Sequence, residues 1–271
     1  MVTKLFFLFH FLVVVLSISL VSLEVFHIQS GILQKFTSED GFYELGSAFF
    51  LFSFGLFLLF KQRDFYVKTI KYSLVFLGFI FILGALEELS WGQHLLGFES
   101  VDLFSQHNKQ QETNLHNFIP AWLFGLSINL SFYIFFVFTP IFIFFYRDKI
   151  LASSYSKYSH LLDYLPSLKL VLVFCFGFAL QKYFILDTYT DSIALILALV
   201  LLSFIAIKKK DSFFTFHLVL VILSTMFFMY AHEIMNYNNL QYEIREFIFI
   251  YALIFWLFEV IKLLSSARTL R

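Results

Sequence analysis

A single cysteine, Cys175, stands among the 271 residues. It excludes an intrachain disulfide and any metal site built from several thiolates. Charge is nearly as scarce. Asp, Glu, Lys and Arg supply 14% of the chain, against about 25% in an ordinary soluble protein. No linker, low-complexity tract, internal repeat or soluble domain interrupts it. Three familiar catalytic strings are absent as well: His-Glu-x-x-His, Gly-x-Ser-x-Gly and the phosphate loop. No single motif therefore names an activity.

What the chain has instead is hydrocarbon. It is 60% hydrophobic, with a mean hydropathy of +0.81. Phe accounts for 42 residues; lipid accepts Phe as readily as Leu, so the number has no functional weight. Apolar runs near the roughly 20 residues that a helix needs to cross a bilayer recur along the whole length. They predict spans at 5–26, 43–60, 70–90, 118–146, 168–186, 191–207, 212–231 and 246–265. The first resembles a signal peptide, with Lys4 ahead of an apolar stretch. Its length and the poor cleavage site at Ser22-Leu23-Glu24-Val25-Phe26 predict an uncleaved helix. Segment 118–146 exceeds one crossing, so Pro140 is expected to kink it, unless the segment tilts. Lipid offers the backbone no partners, and no sustained alternation suggests a barrel. The expectation is an all-α, polytopic membrane helix bundle of about eight transmembrane helices, forming one integral membrane domain over 1–271.

Charge orients the bundle. With the N-terminus inside, the inner segments hold Lys4, Lys61, Arg63, Lys68, Lys71, Arg147, Lys149, Lys157, Lys169, Lys208, Lys209, Lys210, Lys262, Arg268 and Arg271, 15 of the 19 basic residues. Only Lys35, Lys109, Lys182 and Arg245 fall on the other side. Every loop agrees with the positive-inside rule, so both termini are expected in the cytoplasm of a cell whose inner (plasma) membrane holds the chain. The basic inner face suits anionic lipid, worth about 1 kcal/mol per well-placed Lys or Arg, or an anionic ligand or cytoplasmic partner. Nothing in the pattern points to nucleic acid. Segment 147–167 carries Tyr155, Tyr158, Leu161, Leu162, Tyr164 and Leu165 at roughly helical spacing and is expected along the cytoplasmic interface.

The acids gather outside, in four segments. The first is Glu39-Asp40-Gly41 with Glu44, where Asp40 is placed to cap the second span. The next is Glu87-Glu88-Leu89-Ser90-Trp91-Gly92-Gln93-His94. On a continuous helix Glu87, Ser90, Trp91 and His94 would share a face, with Glu88 about 100° away. Gly92 would open that face to a neighbouring helix. The third is Gln111-Glu112-Thr113-Asn114-Leu115-His116-Asn117. Glu112 and His116 stand at i, i+4, a spacing that suits two ligands to one metal or a carboxylate that orients an imidazole. Asn117 would cap the span beginning at Phe118. The last follows the seventh span: His232, Glu233 and Asn236, then Glu243, Arg245 and Glu246. Lys182 and Asp187 read as interfacial residues. Ionisable groups are costly near lipid, so these segments are the candidate site.

The strings from Glu87 to Gln93 and from Asn108 to Asn117, with Glu39-Asp40-Gly41 ahead of Glu44, resemble the signature of a family of uncharacterised bacterial multi-pass membrane proteins. The resemblance covers about the first half of the chain. It implies that these are site residues and implies no activity. Ser90-x-x-x-His94 is similar to the Ser/His spacing of membrane-embedded ceramidase-type hydrolases, which use Ser, Asp and several His around zinc in a seven-helix bundle. The chain departs from them at His232, followed at i+4 by Asn236 where a second His would stand, and in its span count.

Three functions fit these residues. The first is a metal-dependent membrane-embedded hydrolase acting on a lipid or lipid-linked substrate. Its catalytic set would be Glu87, Glu88, Ser90, Gln93, His94 and Glu112. A divalent ion such as Zn would sit on Glu112, His116, His232 and Glu233 and activate water, with Ser90 orienting substrate. Asp40, Glu44, Gln111, Asn114, Asn117, Glu243 and Glu246 would complete the polar pocket. The second is an ion-conducting homo-oligomeric channel or membrane-permeabilising effector with an acidic vestibule, gated by a cytoplasmic partner or anionic signal. The third is a structural membrane subunit, its polar groups bonding between helices at only about 0.6 kcal/mol each.

Overall fold

The structure, a computed structural model, describes residues 2–28, 31–37, 41–93, 121–181, 189–232 and 241–266. These residues are helical with no strand among them. In chain order the helices are α1 (Val2–Val25), α2 (Ile32–Thr37), α3 (Phe42–Lys61), α4 (Lys68–Glu88), α5 (Ala121–Phe132), α6 (Thr139–Leu151), α7 (Leu168–Ala179), α8 (Tyr189–Lys209), α9 (Ser212–Tyr230) and α10 (Gln241–Ser266). Seven described helical segments are long and apolar enough to cross a membrane. An eighth is reached only by counting a pair of helices bent by 60°, Ser154–Tyr164 and Leu168–Ala179, as one span. Polar residues within the apolar helices are accommodated locally. Ser17, Ser22, Ser203, Ser224 and Thr225 each donate to the carbonyl four residues back.

The chain forms two compact units: residues 1–34 with 127–252, and residues 35–126 with 253–271. In the second unit α3 and α4 make a tight antiparallel hairpin. Two glycines permit it: a Cβ on Gly55 would lie 2.8 Å from the Gly78 carbonyl oxygen, and one on Gly78 would lie 3.1 Å from that of Gly55. Phe54, Leu58, Phe65, Leu74, Phe81 and Ile261 form the core of this unit, the last contributed by the end of α10.

The first unit is built around α7. This helix was expected as a span over 168–186, but it leaves helical geometry at Leu180 (φ −86°, ψ 71°) after 12 residues. Twelve residues rise about 18 Å, too short for a crossing. Every residue from Leu170 to Ala179 is buried, so its apolarity reflects protein neighbours. A buried helix and a lipid-facing one have the same apolar composition, which is why the sequence overstated its length. Its rings meet α1 through His10, α9 through Phe228 and α10 through Phe249.

The long helical stretch from Ala121 changes register ahead of Pro140. Tyr133–Phe138 widens into a π-helical segment just before it. Pro140 has no N–H to donate and its ring crowds the carbonyl four residues back. The wider register relieves both, and the Thr139 hydroxyl donates to the Ile134 carbonyl across it at 2.7 Å. The segment expected at the interface is a 3₁₀ helix, Ser154–Tyr164, with Tyr155, Tyr158 and Leu161 exposed. Its threefold repeat aligns those three side chains on one ridge.

At the basic end of this unit, Asp211 caps α9. Its Oδ1 accepts from the Phe214 N–H at 3.1 Å, and Lys169 Nζ lies 3.3 Å from Oδ2. The Phe214 amide, foremost, and then Lys169 hold the Asp211 carboxyl below its ordinary range. A depressed folded-state pKa contributes stability that is present above the unfolded value of about 4 and lost as pH falls through the folded value. Thermal midpoints of Asp211→Asn are therefore expected below wild type at pH 7 and converging with it as pH falls through the folded value. Parallel pH profiles would show that the cap contributes no pH dependence.

Candidate functional site

Of the residues singled out above, Glu44, Glu87, Glu88, Ser90, Gln93, His232, Glu243 and Glu246 are among those described. Asp40, His94, Gln111, Glu112, Asn114, His116, Asn117 and Glu233 lie outside them, as do Lys182 and Asp187.

The expected helical stripe from Glu87 to His94 is not continuous. α4 stops at Glu88, and the next residues turn left-handed: Ser90 at φ 44°, Trp91 at φ 56° and Gly92 at φ 82°. Only glycine adopts such angles without steric cost, so Ser90 and Trp91 are strained. The reading of Gly92 as an opening for a neighbouring helix changes accordingly. Its positive φ completes the turn, with its N–H on the Leu89 carbonyl at 2.7 Å.

Two consequences follow for the chemistry. Ser90 is buried, at 1% exposure, a position that suits orienting or structural use better than attack on a substrate. The Trp91 indole folds back on α4, and its Nε1–H donates to Glu87 Oε1 at 2.6 Å. That short bond to a carboxylate oxygen fixes Glu87 in one orientation. Glu88 is half-buried beside it.

The hairpin brings a third carboxylate to the same end. Leu51 of α3 packs against Gly84 of α4. Seven residues back along α3 lies Glu44, about 10 Å by ideal helix rise, and three and four residues forward along α4 lie Glu87 and Glu88, about 5–6 Å. Glu44 also stands in the first turn of α3, where a negative charge complements the helix dipole. The acidic end of the hairpin thus carries Glu44, Glu87 and Glu88. Among the described residues no three His, Cys, Asp or Glu side chains stand close enough to hold a metal.

In the first unit, His232 closes α9. Its Nδ1 lies 3.1 Å from the Met229 carbonyl and donates there. Glu243 and Glu246 sit in the first two turns of α10, Glu243 half-buried and Glu246 exposed.

Other polar groups of this unit escaped the sequence reading. His10 Nδ1 and the Tyr251 hydroxyl share a hydrogen bond of 2.7 Å with His10 buried. His217 Nδ1 donates to the Phe213 carbonyl at 2.9 Å. Asn129 Nδ2 donates to Asp191 Oδ2 at 2.8 Å, and the Tyr133 hydroxyl donates to the Asp191 carbonyl at 3.0 Å. Gln181 and Gln241 are each 1% exposed. A lone polar residue inside or closing an apolar run was the available signal for His10, His217, Asn129 and Gln181.

No family model, no curated protein and no solved structure matches the chain, so the chemistry of the site must come from its own residues.

Proposed function

We propose that the chain is a multi-pass protein of the inner (plasma) membrane, termini cytoplasmic, that works as a hydrolase on a lipid or lipid-linked substrate at the outer leaflet. The observation that carries this reading is the left-handed turn at Ser90–Gly92 and the Glu87 carboxylate that Trp91 holds above it. Two strained non-glycine residues in succession are expensive, and such strain persists mainly where a site needs it. A carboxylate fixed in one orientation is suited to accept a proton from attacking water, which passes to the departing oxygen. Exposed rings along the helices, among them Phe49, Phe76, Phe79 and Phe204, support insertion in lipid.

In this reading Glu112 and His116, on the segment that follows, would hold a divalent ion such as Zn, which would supply the activation of water. Glu88, Gln93 and His94 contact substrate, and Ser90 buttresses the turn. Against conduction through the first unit stands its close ring packing: Tyr133 stacks on Phe178 at 3.7 Å, and Phe249 meets Phe178 edge-on at 4.9 Å.

The test is metal content together with turnover of radiolabelled total membrane lipid by the purified full-length protein. Wild type is expected to carry stoichiometric metal. Glu112→Gln and His116→Ala should lose it. Glu87→Gln should keep it and lose about 10²–10⁴-fold in rate, the usual worth of a general base. Metal-free protein, or rates unchanged in all three variants, sinks the hydrolase. Ion flux from protein-loaded liposomes, without hydrolysis, would favour the channel.

A further inference from the structure

The 3₁₀ helix Ser154–Tyr164 of the first unit takes no part in the proposed hydrolase. Only Ala152 and Ser153 separate it from the apolar segment Ser127–Leu151, and residues 165–167 join it to α7. Serine hydroxyls fix both junctions. Ser153 Oγ accepts from the Tyr155 N–H at 3.2 Å, and Ser167 Oγ from the Leu170 N–H at 3.4 Å. Between these caps the chain is bent by 60° from the axis of α7. Membrane helices tilt on average by about 20° from the bilayer normal. A segment bent that far from a bundle helix runs closer to the membrane plane than to its normal.

The threefold repeat sorts the side chains into three stripes. Tyr155, Tyr158 and Leu161 form the first, and they are 67%, 50% and 52% exposed. Lys157, His160 and Asp163 form the second and are exposed as well. Ser159 and Leu162, on the third, are half-buried. The protein therefore covers one stripe and leaves an apolar and a charged stripe side by side. The boundary of a bilayer accommodates both: rings and Leu enter the acyl boundary, and charges stay among the headgroups. Tyrosine suits that depth, with an apolar body and a hydroxyl that reaches water.

The charges around the segment are mostly positive. Arg147 and Lys149 precede it, both exposed, with Asp148 between them. Lys157 Nζ lies over the Tyr158 ring at 4.9 Å, which holds a cation at the edge of the apolar stripe. The Lys169–Asp211 pair, at 3.3 Å, ties the start of α7 to the α8–α9 turn. Lys208, Lys209 and Lys210, all exposed, are thereby brought to the same end of the unit. These cations outnumber Asp148, Asp163 and Asp211 by more than two to one.

Place and charge together select the occupant. A soluble acidic protein would meet the cations alone. An apolar stripe that follows the end of a candidate span, and is bent towards the membrane plane, stands where lipid headgroups stand. We propose that Ser154–Tyr164 lies in the headgroup layer of the leaflet at this end, with Tyr155, Tyr158 and Leu161 immersed, and that the surrounding Lys and Arg bind the phosphates of anionic phospholipid. The proposal rests on the membrane part of the reading above and not on hydrolysis.

The test uses the full chain in liposomes of mixed phosphatidylglycerol and phosphatidylcholine. Leu161→Cys, His160→Cys and Phe204→Cys are nitroxide-labelled one at a time. Cys175 is buried and stays in place, and labelling of the parent chain gives the background. Electron paramagnetic resonance compares collisions with oxygen, which concentrates in lipid, and with a water-soluble nickel chelate. Phe204, an exposed ring of α8, is the control for insertion. Labels at Leu161 and Phe204 are expected to meet oxygen more, and the label at His160 the chelate more. A Leu161 label in water beside a Phe204 label in lipid overturns this proposal alone and leaves the stripe to a soluble partner. A Phe204 label in water overturns the membrane reading and the proposal with it. Lipid choice is read by native mass spectrometry of the detergent-solubilised protein titrated with each phospholipid. Phosphatidylglycerol is expected to bind more tightly than phosphatidylcholine. One Lys or Arg near the surface is worth about fivefold in affinity for anionic lipid, so Lys149→Gln/Lys157→Gln should cut that preference at least about fivefold. Equal binding of the two lipids by wild type, or an unchanged preference in the double variant, overturns the proposal.

Discussion

Phe249→Ala is expected to lower the unfolding free energy by about 3–5 kcal/mol, the range for deleting a buried aromatic side chain. Phe249 is 6% exposed and touches three other rings, Phe132, Phe174 and Phe178. It also lies against Gly177, where an added Cβ would meet its Cδ1 at 2.9 Å. Gly177→Ala alone should therefore destabilise by about 1–3 kcal/mol, as overpacking does, despite the better helix propensity of alanine. In the Phe249→Ala background the sign should reverse. The new methyl then enters vacated space, and alanine improves α7. The cycle predicts a coupling of about 1–3 kcal/mol between adjacent residues. Equilibrium unfolding in bicelles measures all four proteins. Additive effects would mean that Gly177 and Phe249 do not share this space.

Gly55→Ala is expected to split the α3–α4 hairpin, at a cost of about 1–3 kcal/mol. The added Cβ would lie 2.7 Å from Ile82 Cγ1 and 2.8 Å from the Gly78 carbonyl oxygen. A side-chain carbon can rotate away; a helical carbonyl cannot, so the helices must separate. Membrane helices depend on such close approach, because lipid supplies little drive for them to associate. Gly84→Ala is the control. Its Cβ would sit 3.6 Å from Leu51 Cδ1, an ordinary contact. It should be neutral, or stabilising by up to about 1 kcal/mol through backbone entropy. Separation should also disturb the turn above, so Gly55→Ala should change the fluorescence of Trp91 where Gly84→Ala does not. Equal midpoints for the two variants would remove the hairpin contact as a determinant.

The carboxylates of the hairpin show what could and could not be read in advance. Glu44, Glu87 and Glu88 stood out because ionisable groups interrupt a long apolar run, and that much is a property of composition. Their geometry was misjudged at Ser90. Helical periodicity continued through Glu87, Ser90, Trp91 and His94, and nothing local forbade it. The break into positive φ is a choice between two backbone paths that differ by a few kcal/mol. Packing around the buried Ser90 and the indole bond to Glu87 accompany the one adopted. For α7 the error had another source. Hydropathy records that Leu170–Ala179 avoids water and is silent on whether lipid or protein replaces it.

The sequence by itself determined the class of this protein. The long apolar helices follow from local terms, since each backbone group can be bonded within its own segment and no distant residue need be specified. The asymmetry of charge between alternating loops is likewise written along the chain. Only the tertiary structure decided which polar groups have partners. Asn129 meets Asp191 across 62 positions and His10 meets Tyr251 across 241, while Gln181 and Gln241 are left with unmet bonds. Those outcomes depend on which helix faces which, and hydrogen bonds form only within about 3.5 Å, a precision that no periodicity of 3.6 residues can carry.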